Sequence, residues 1–408
     1  MKVLIITPYF YESSRKEFTK NRTGYGILLH QIASYGSKLD DIFMLTTSIT
    51  PTFEIGGFKV ISHTWTDIIR NIKFRNIIIA IKNFIKIKQS LKNKLKYFFY
   101  SIDSGYTEEV IKKLKPDIVH FHTVGYRTEI GINICETINQ KYLLTLHGLV
   151  GFAENTSPYL KESEKKLLVH AVKNNIVVTV ISTGIKYRIE THYEIKDTDN
   201  ILVVTNGTDT NQKKLDNYKD IRKMHGIPTN RKIMLCIGNI SKNKNQEQLI
   251  RAYSILDPKV KENLNILILG NNDKSLGLDK LINNLKVNNN IKLCGFVNRE
   301  DIMSYFNAAD YNTIVSIDEG FGLSIIEAFT YGIPTVTFPD LDAVPDLYNE
   351  NVMVLANSRS DIDLAYAIEK LYYTDWCNDF ICEYSKNFSL EKMSEKYHHI
   401  YNKILYED

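Results

Sequence analysis

Short runs of β-branched and leucine-rich residues recur through the first half of the chain, each closed by polar positions: "KVLIIT", "DIFMLTT", "DIVHFHT", "YLLTLHG", "VVTVIS" and "ILVVTNG". Runs that are apolar at consecutive positions predict strands covered on both faces. The second half repeats the style in "KIMLCIGN", "LNILILGN", "IKLCGFV", "YNTIVSI" and "IPTVTFP". Between these runs, helices are predicted over Gln246 to Leu256, Arg299 to Ala309 and Leu323 to Tyr331. Buried strands alternating with helices imply two parallel-sheet α/β domains. A polar stretch, 211–220, separates the two series and predicts an N-terminal domain over 1–207 and a C-terminal domain over 208–384. The remaining 385–408 is amphipathic and predicts a helix packing back on the first domain. The expected architecture is two facing Rossmann-like domains, with a ligand cleft where strand carboxyl ends open.

Composition narrows the class of partner. Over 408 residues, 51 Lys and Arg are nearly balanced by 47 Asp and Glu, a net charge of +4 that does not imply nucleic acid. Five cysteines without a C-x-x-C pair indicate neither a disulfide framework nor a zinc site. The opening "MKVLIITPYF" is too short an apolar run for a signal peptide, and no stretch approaches the roughly 20 apolar residues of a membrane span. A cytoplasmic protein is expected.

The sharpest local pattern is "EGFGLSIIE", Glu319 to Glu327, within a strand, loop, helix and glycine-stop sequence. Gly320 and Gly322 permit a tight loop, and a helix opening near Leu323 offers unpaired amides and a positive dipole end to phosphate or another anion. Glu319 precedes the helix and Glu327 lies about one turn inside it, so the two carboxylates can meet different parts of one extended ligand. A capped helix with two surface glutamates is the plainer alternative. "NRTGYGILLHQ" is no dinucleotide fingerprint, because G-x-G-x-x-G is broken at Leu29 and the glycines lie far beyond the strand ending near Thr7. His120, His122 and His147 fall at predicted strand ends, without the ligand spacing or carboxylate partner of a metal site.

Ser316, Glu319, Gly320, Phe321, Gly322, Leu323 and Glu327 together resemble the Glu-x7-Glu signature of the retaining glycosyltransferases of family 4, which have the GT-B fold. The downstream "EAFTYGIPTV" is similar as well, and the resemblance extends over most of the chain. It implies that Glu319 contacts the donor sugar near the reacting carbon, that the amides of Gly320, Phe321, Gly322 and Leu323 hold sugar and diphosphate, and that Glu327 binds the ribose. "CIGNISKNKNQEQLIRAY" resembles the family segment that ends in a diphosphate-binding lysine, with Gly238 and Lys244 in place. Asn239 stands where that family usually has arginine, which removes a permanent cation from the leaving-group site; Lys242 is a candidate substitute. By the same resemblance Gly24 approaches the diphosphate, His147 sits near the donor sugar, and His122 is an acceptor-side candidate. Asn206, Gly207 and Asp209 match a hinge, and Asp346 replaces a family glutamate.

The resemblance therefore implies sugar transfer, with retention, from a nucleotide diphosphate sugar to a glycan or lipid-linked acceptor, in surface polysaccharide or glycolipid synthesis. No cofactor or metal is required in that reading. A non-catalytic glycosyltransferase-like partner, a glycan-binding protein and a nucleotide-sugar epimerase are the alternatives. One segment lies outside the signature: residues 70–100 hold nine basic and no acidic residues among spaced Ile, Phe and Leu. It predicts either a helix lying on an anionic membrane surface or a solvated basic face packed on the first domain.

Overall fold

The computed structural model describes residues 1–86, 90–152, 156–210, 218–271 and 273–407. The chain divides into two compact units, Met1–Asn206 with Leu390–Asp408, and Gly207–Ser389. Residues 385–389 thus belong to the second unit and not with the terminal helix, and 211–217 of the polar separator lie outside the described residues.

In the first unit the strands are β1 (Lys2–Ile6), β2 (Asp41–Leu45), β3 (Phe53–Ile55), β4 (Phe58–Val60), β5 (Ile118–His122), β6 (Tyr142–Leu146), β7 (Val178–Val180) and β8 (Ile201–Val203). They form one sheet in the order β3-β4-β2-β1-β5-β6-β7-β8, with antiparallel pairing at the β3–β4 edge and parallel pairing elsewhere. Consecutive apolar residues fill both faces: Val3, Leu4 and Ile5 are all enclosed. The last helix, Leu390–Tyr406, lays Leu390, Met393, Tyr397, Ile400 and Tyr401 into the same core as Val3 and Ile5. His120 fixes that helix to β5, for its Nδ1 meets the Tyr401 hydroxyl at 2.8 Å.

The second unit holds β9 (Lys232–Ile237), β10 (Leu264–Leu269), β11 (Ile291–Gly295), β12 (Tyr311–Thr313), β13 (Thr335–Thr337) and β14 (Met353–Leu355), all parallel, in the order β11-β10-β9-β12-β13-β14. The order reverses at β9: the chain runs outward through β10 and β11, then returns to β12 on the other side. Loops leaving adjacent strands at such a reversal diverge and open a crevice at the carboxyl ends. The first unit has the same feature at β1 and β5.

Candidate functional site

At the reversal in the second unit, the loop after β9 carries Gly238 to Asn245 and the loop after β12 carries Ile314 to Gly322. Asn243 joins them. Its carbonyl accepts from the Ile317 amide at 2.7 Å, its Oδ1 from the Asp318 amide at 3.0 Å, and its Nδ2 donates to the Asp318 carbonyl at 2.9 Å. This alignment brings Lys244 Nζ onto Glu319 Oε2 in an ion pair, and Ser316 Oγ donates to the same oxygen at 3.4 Å. The expected catalytic carboxylate and the expected diphosphate lysine, 75 residues apart, are in direct contact.

Behind the loop, Arg359 donates to the Ser316 carbonyl at 2.8 Å and to the Ile317 carbonyl at 3.3 Å. Two contacts hold the guanidinium in place: a forked pair with Asp340 at 2.8 Å and 2.8 Å, and the Phe338 ring 4.4 Å below. Two parallel N–H···O bonds fix orientation as well as charge. Neither Asn243 nor Arg359 stands out in the sequence, because the role of each depends on a partner far along the chain.

Gly322 ends the loop and begins the helix Leu323–Thr330 with φ +75°, and it supplies no side-chain cap. A Cβ there would lie 2.9 Å from Ile314 Cδ1, so both conformation and space demand glycine. The Ile325 amide donates to the Gly322 carbonyl at 2.8 Å, and the uncapped start leaves the amides of Leu323 and Ser324 for an anion. Phe321 is buried, so its ring serves the core and only its backbone remains available to a ligand at the loop. Gly320 stands beside Glu319 in the same loop.

Glu327 lies on the second turn of this helix and accepts from Arg299 Nη2 at 2.7 Å. Arg299 is the first residue of the helix Arg299–Ala308, and the charge of Glu327 raises its pKa further. The two line a cavity of about 120 Å³ with Met303, Phe306 and Tyr331. The expected ribose carboxylate is therefore already oriented by a cation, and that cation was missed in the sequence.

Asn239 is occupied within the protein: its Oδ1 accepts from the Asn271 amide at 3.1 Å and ties the β9 loop to the β10 loop. Gly270 permits this close passage, since a Cβ on it would fall 2.2 Å from the Gly238 carbonyl oxygen; a Cβ on Gly238 itself would meet only the Lys244 side chain, at 3.5 Å. Lys242 lines a different cavity, of about 280 Å³, with Ser241, Asn245, Gln246, Glu247 and Leu278.

In the first unit, His122 ends β5 and His147 directly follows β6, and His122 Nδ1 meets His147 Nε2 at 2.9 Å. One ring must donate and the other accept, so the N–H of one ring lies between them while the other ring keeps its own proton on its outer nitrogen. Burial pushes His147 down to about 3; it pushes His122 well below the usual range, reinforced by His120 and His147. Both rings are neutral near pH 7. Gly24 is an exposed first residue of the helix Gly24–Gly36, and the next residue, Tyr25, sets its ring edge-on to His147 at 5.2 Å. Tyr25 shares a hydrogen bond of 2.7 Å with Thr7 Oγ1, at the end of β1. Gly24, His122 and His147 thus gather at the reversal of the first sheet. Among the described residues, no group of three His, Cys, Asp or Glu is placed to hold a metal ion.

Two mainly parallel α/β units, each with polar residues at the reversal of its sheet, have the GT-B fold. The sequence profile described as "Glycosyl transferases group 1" matches residues 217–384, and that described as "Glycosyltransferase Family 4" matches 73–212. The chain belongs to the family 4 glycosyltransferases. It is 24% identical over 308 residues to the "Uncharacterized glycosyltransferase MJ1607" of Methanocaldococcus jannaschii, covering 71% of this chain and 75% of that one. It is 22% identical to the alpha-monoglucosyldiacylglycerol synthase of Streptococcus pneumoniae, covering 72% of this chain and 68% of the synthase. The crystal structure of Anabaena Alr3699/HepE in complex with UDP and glucose superimposes with a TM-score of 0.67 at 16% identity, covering 98% of this chain and 99% of that one.

Proposed function

We propose that the chain transfers a sugar, with retention at the anomeric carbon, from a nucleotide diphosphate sugar to a lipid-linked or glycan acceptor in glycolipid or surface polysaccharide synthesis. The observation that carries this reading is the contact of Lys244 with Glu319 beside the uncapped helix start at Gly322. A cation, a carboxylate and free amide positions are what a leaving diphosphate and a developing positive sugar ring need. The HepE complex holds UDP and glucose, and the pneumococcal relative is a glucolipid synthase; both support the donor and acceptor classes proposed here.

In this reading the diphosphate draws Lys244 toward itself and frees Glu319 to face the anomeric carbon. The helix amides share the phosphate charge, and the Arg299–Glu327 pair receives the ribose. The second unit binds the donor and the first the acceptor, for which His147 and His122 offer neutral hydrogen-bonding groups. Lys244 and the amides supply the leaving-group charge, so no metal is invoked and Asn239 need not act. The test is incubation of the purified chain with UDP-, GDP- and ADP-sugars and a lipid acceptor, in EDTA, with the anomeric configuration of the product read by NMR. An α-linked product from an α-linked donor is expected. An inverted product, or transfer that EDTA abolishes and magnesium restores, contradicts the retaining or the metal-free part respectively.

A further inference from the structure

The helix Phe74–Lys86 is amphipathic in the reverse of the usual sense. Its inward positions are Asn76, 4% exposed and bonded through Nδ2 to Ser104 Oγ at 2.8 Å, and Ala80, fully enclosed. Its outward stripe is apolar: Phe74, Ile78, Ile81 and Ile85 are 77%, 38%, 48% and 73% exposed. Their spacing of four, three and four residues puts them on one face. The next helix, Leu91–Leu114, repeats this in its first turns, with Leu91, Leu95 and Phe99 exposed at every fourth residue while Tyr97 and Ser101 face inward. Of the 24 large hydrophobic residues left exposed in the described chain, 11 lie within 65–99, Trp65 and Ile69 among them.

Concentration of apolar surface on one region of a folded protein marks a contact surface. The charge around it selects the partner. No acidic residue occurs between Ile68 and Ile102, whereas Arg70, Lys82, Lys92, Lys94 and Lys96 intersperse the stripes. Lys73 and Arg75 are spent differently, on the buried carboxylate of Glu108, where they tie the two helices together while Lys112 pairs with it from within its own helix. A second copy docked face to face would oppose like charges. A surface both apolar at depth and anionic at its rim satisfies both features.

We infer that the paired helices Phe74–Lys86 and Leu91–Leu114 dock on an anionic bilayer, inserting the Phe74, Ile78, Ile81 and Ile85 stripe below the headgroups while the lysines pair with lipid phosphates. The expected single basic helix over 70–100 is thereby replaced by two helices whose apolar edges extend back to Trp65; residues 87–89 lie outside the described residues. Docking needs neither donor nor acceptor, so it stands or falls separately from the sugar-transfer reading.

The test is co-sedimentation of the full chain, without nucleotide, with vesicles of phosphatidylcholine alone and of phosphatidylcholine with phosphatidylglycerol. Trp65, exposed and one of only two tryptophans, reports insertion by a blue shift of its emission. Binding at least tenfold tighter to the anionic vesicles is expected, with the shift. The double variant Phe74→Ser/Ile78→Ser should lose tenfold or more of that binding and the emission shift, with the melting temperature lowered by no more than a few degrees, since Phe74 is 77% and Ile78 38% exposed. The set Lys82→Glu/Lys92→Glu/Lys96→Glu should lose the preference for anionic vesicles. Equal binding to both vesicle types, no binding to either, or variants that bind like the parent would overturn the inference. So would a dimer of the parent chain that Phe74→Ser/Ile78→Ser dissociates in the absence of lipid.

Discussion

Acidification should destabilise the first unit well before the Glu108 carboxylate responds. His120 is wholly enclosed between the Tyr401 hydroxyl and Thr145 Oγ1, at 2.8 and 2.6 Å, and burial holds its pKa down to about 3. His122, 1% exposed, is pushed well below 6.5, first by burial and then by its histidine neighbours. In the unfolded chain both return to about 6.5. Between the two values the unfolded state binds more protons than the folded one, so stability rises with pH and is lost as pH falls below the unfolded value. From pH 7.5 to 5.5 His120 and His147, each held down to about 3 by burial, cost about 1.4 kcal/mol apiece and about 2.7 kcal/mol together, a sizeable part of a typical stability of roughly 5–15 kcal/mol, and His122 adds in the same direction. Glu108, held near 2 because bonds from Lys112 and Lys73 outweigh its burial, stays ionised in both states over this window; its own contribution is lost only on acidification below its unfolded value of 4.5. Urea unfolding at the two pH values measures the effect. His30 and His225, also lowered by burial, add to the total, so the attribution rests on His120→Gln, which should remove about 1.4 kcal/mol of the pH dependence. Stability that is flat from pH 7.5 to 5.5, or a variant with the parent's full pH dependence, would refute the reasoning.

Three further outcomes are expected. Gly322→Ala should lose about 1–3 kcal/mol of stability, from strain at φ +75° and the contact with Ile314, and should weaken nucleotide binding in calorimetry by more than any drop in folded fraction explains. Asn243→Ala removes both side-chain bonds to Asp318; kcat for transfer should fall on the order of tenfold while the melting temperature drops only a few degrees, since the backbone bond to Ile317 remains. Arg299→Met should raise KM for the donor and cost about 1–2 kcal/mol by leaving Glu327 unpaired, and Arg299→Met/Glu327→Gln should recover stability without recovering KM.

The expected strands are present because an unbroken apolar run bounded by polar residues has one good home, the middle of a covered sheet. The β3–β4 hairpin escaped notice because its three-residue strands form an edge and mix buried with exposed positions, and β14 because "VMVL" follows an irregular loop. The basic segment misled by its uniform composition: it holds two helices, and Asn76 and Ser104 rather than its isoleucines face inward. Within the candidate site, Glu319, Gly322 and Glu327 were legible because their geometry is set inside one loop and one helix. Asn243, Arg299, Arg359 and Tyr25 were not, because each acts on a residue brought near by the sheet order. Nor does spacing reveal that Asn239 serves a loop–loop bond.

In the proposed reaction Lys244 and Glu319, paired in this structure, separate to serve the diphosphate and the reacting carbon of one donor. The most direct measurement of this separation is nucleoside diphosphate affinity and sugar transfer, side by side, for Lys244→Ala and Glu319→Gln, using whichever nucleotide stabilises the parent chain. Lys244→Ala should lose both, whereas Glu319→Gln should bind the nucleoside diphosphate as well as the parent or better while transfer falls on the order of 100-fold. A Glu319→Gln chain that transfers at the parent's rate, or a Lys244→Ala chain that binds the nucleotide unimpaired, would contradict the claim.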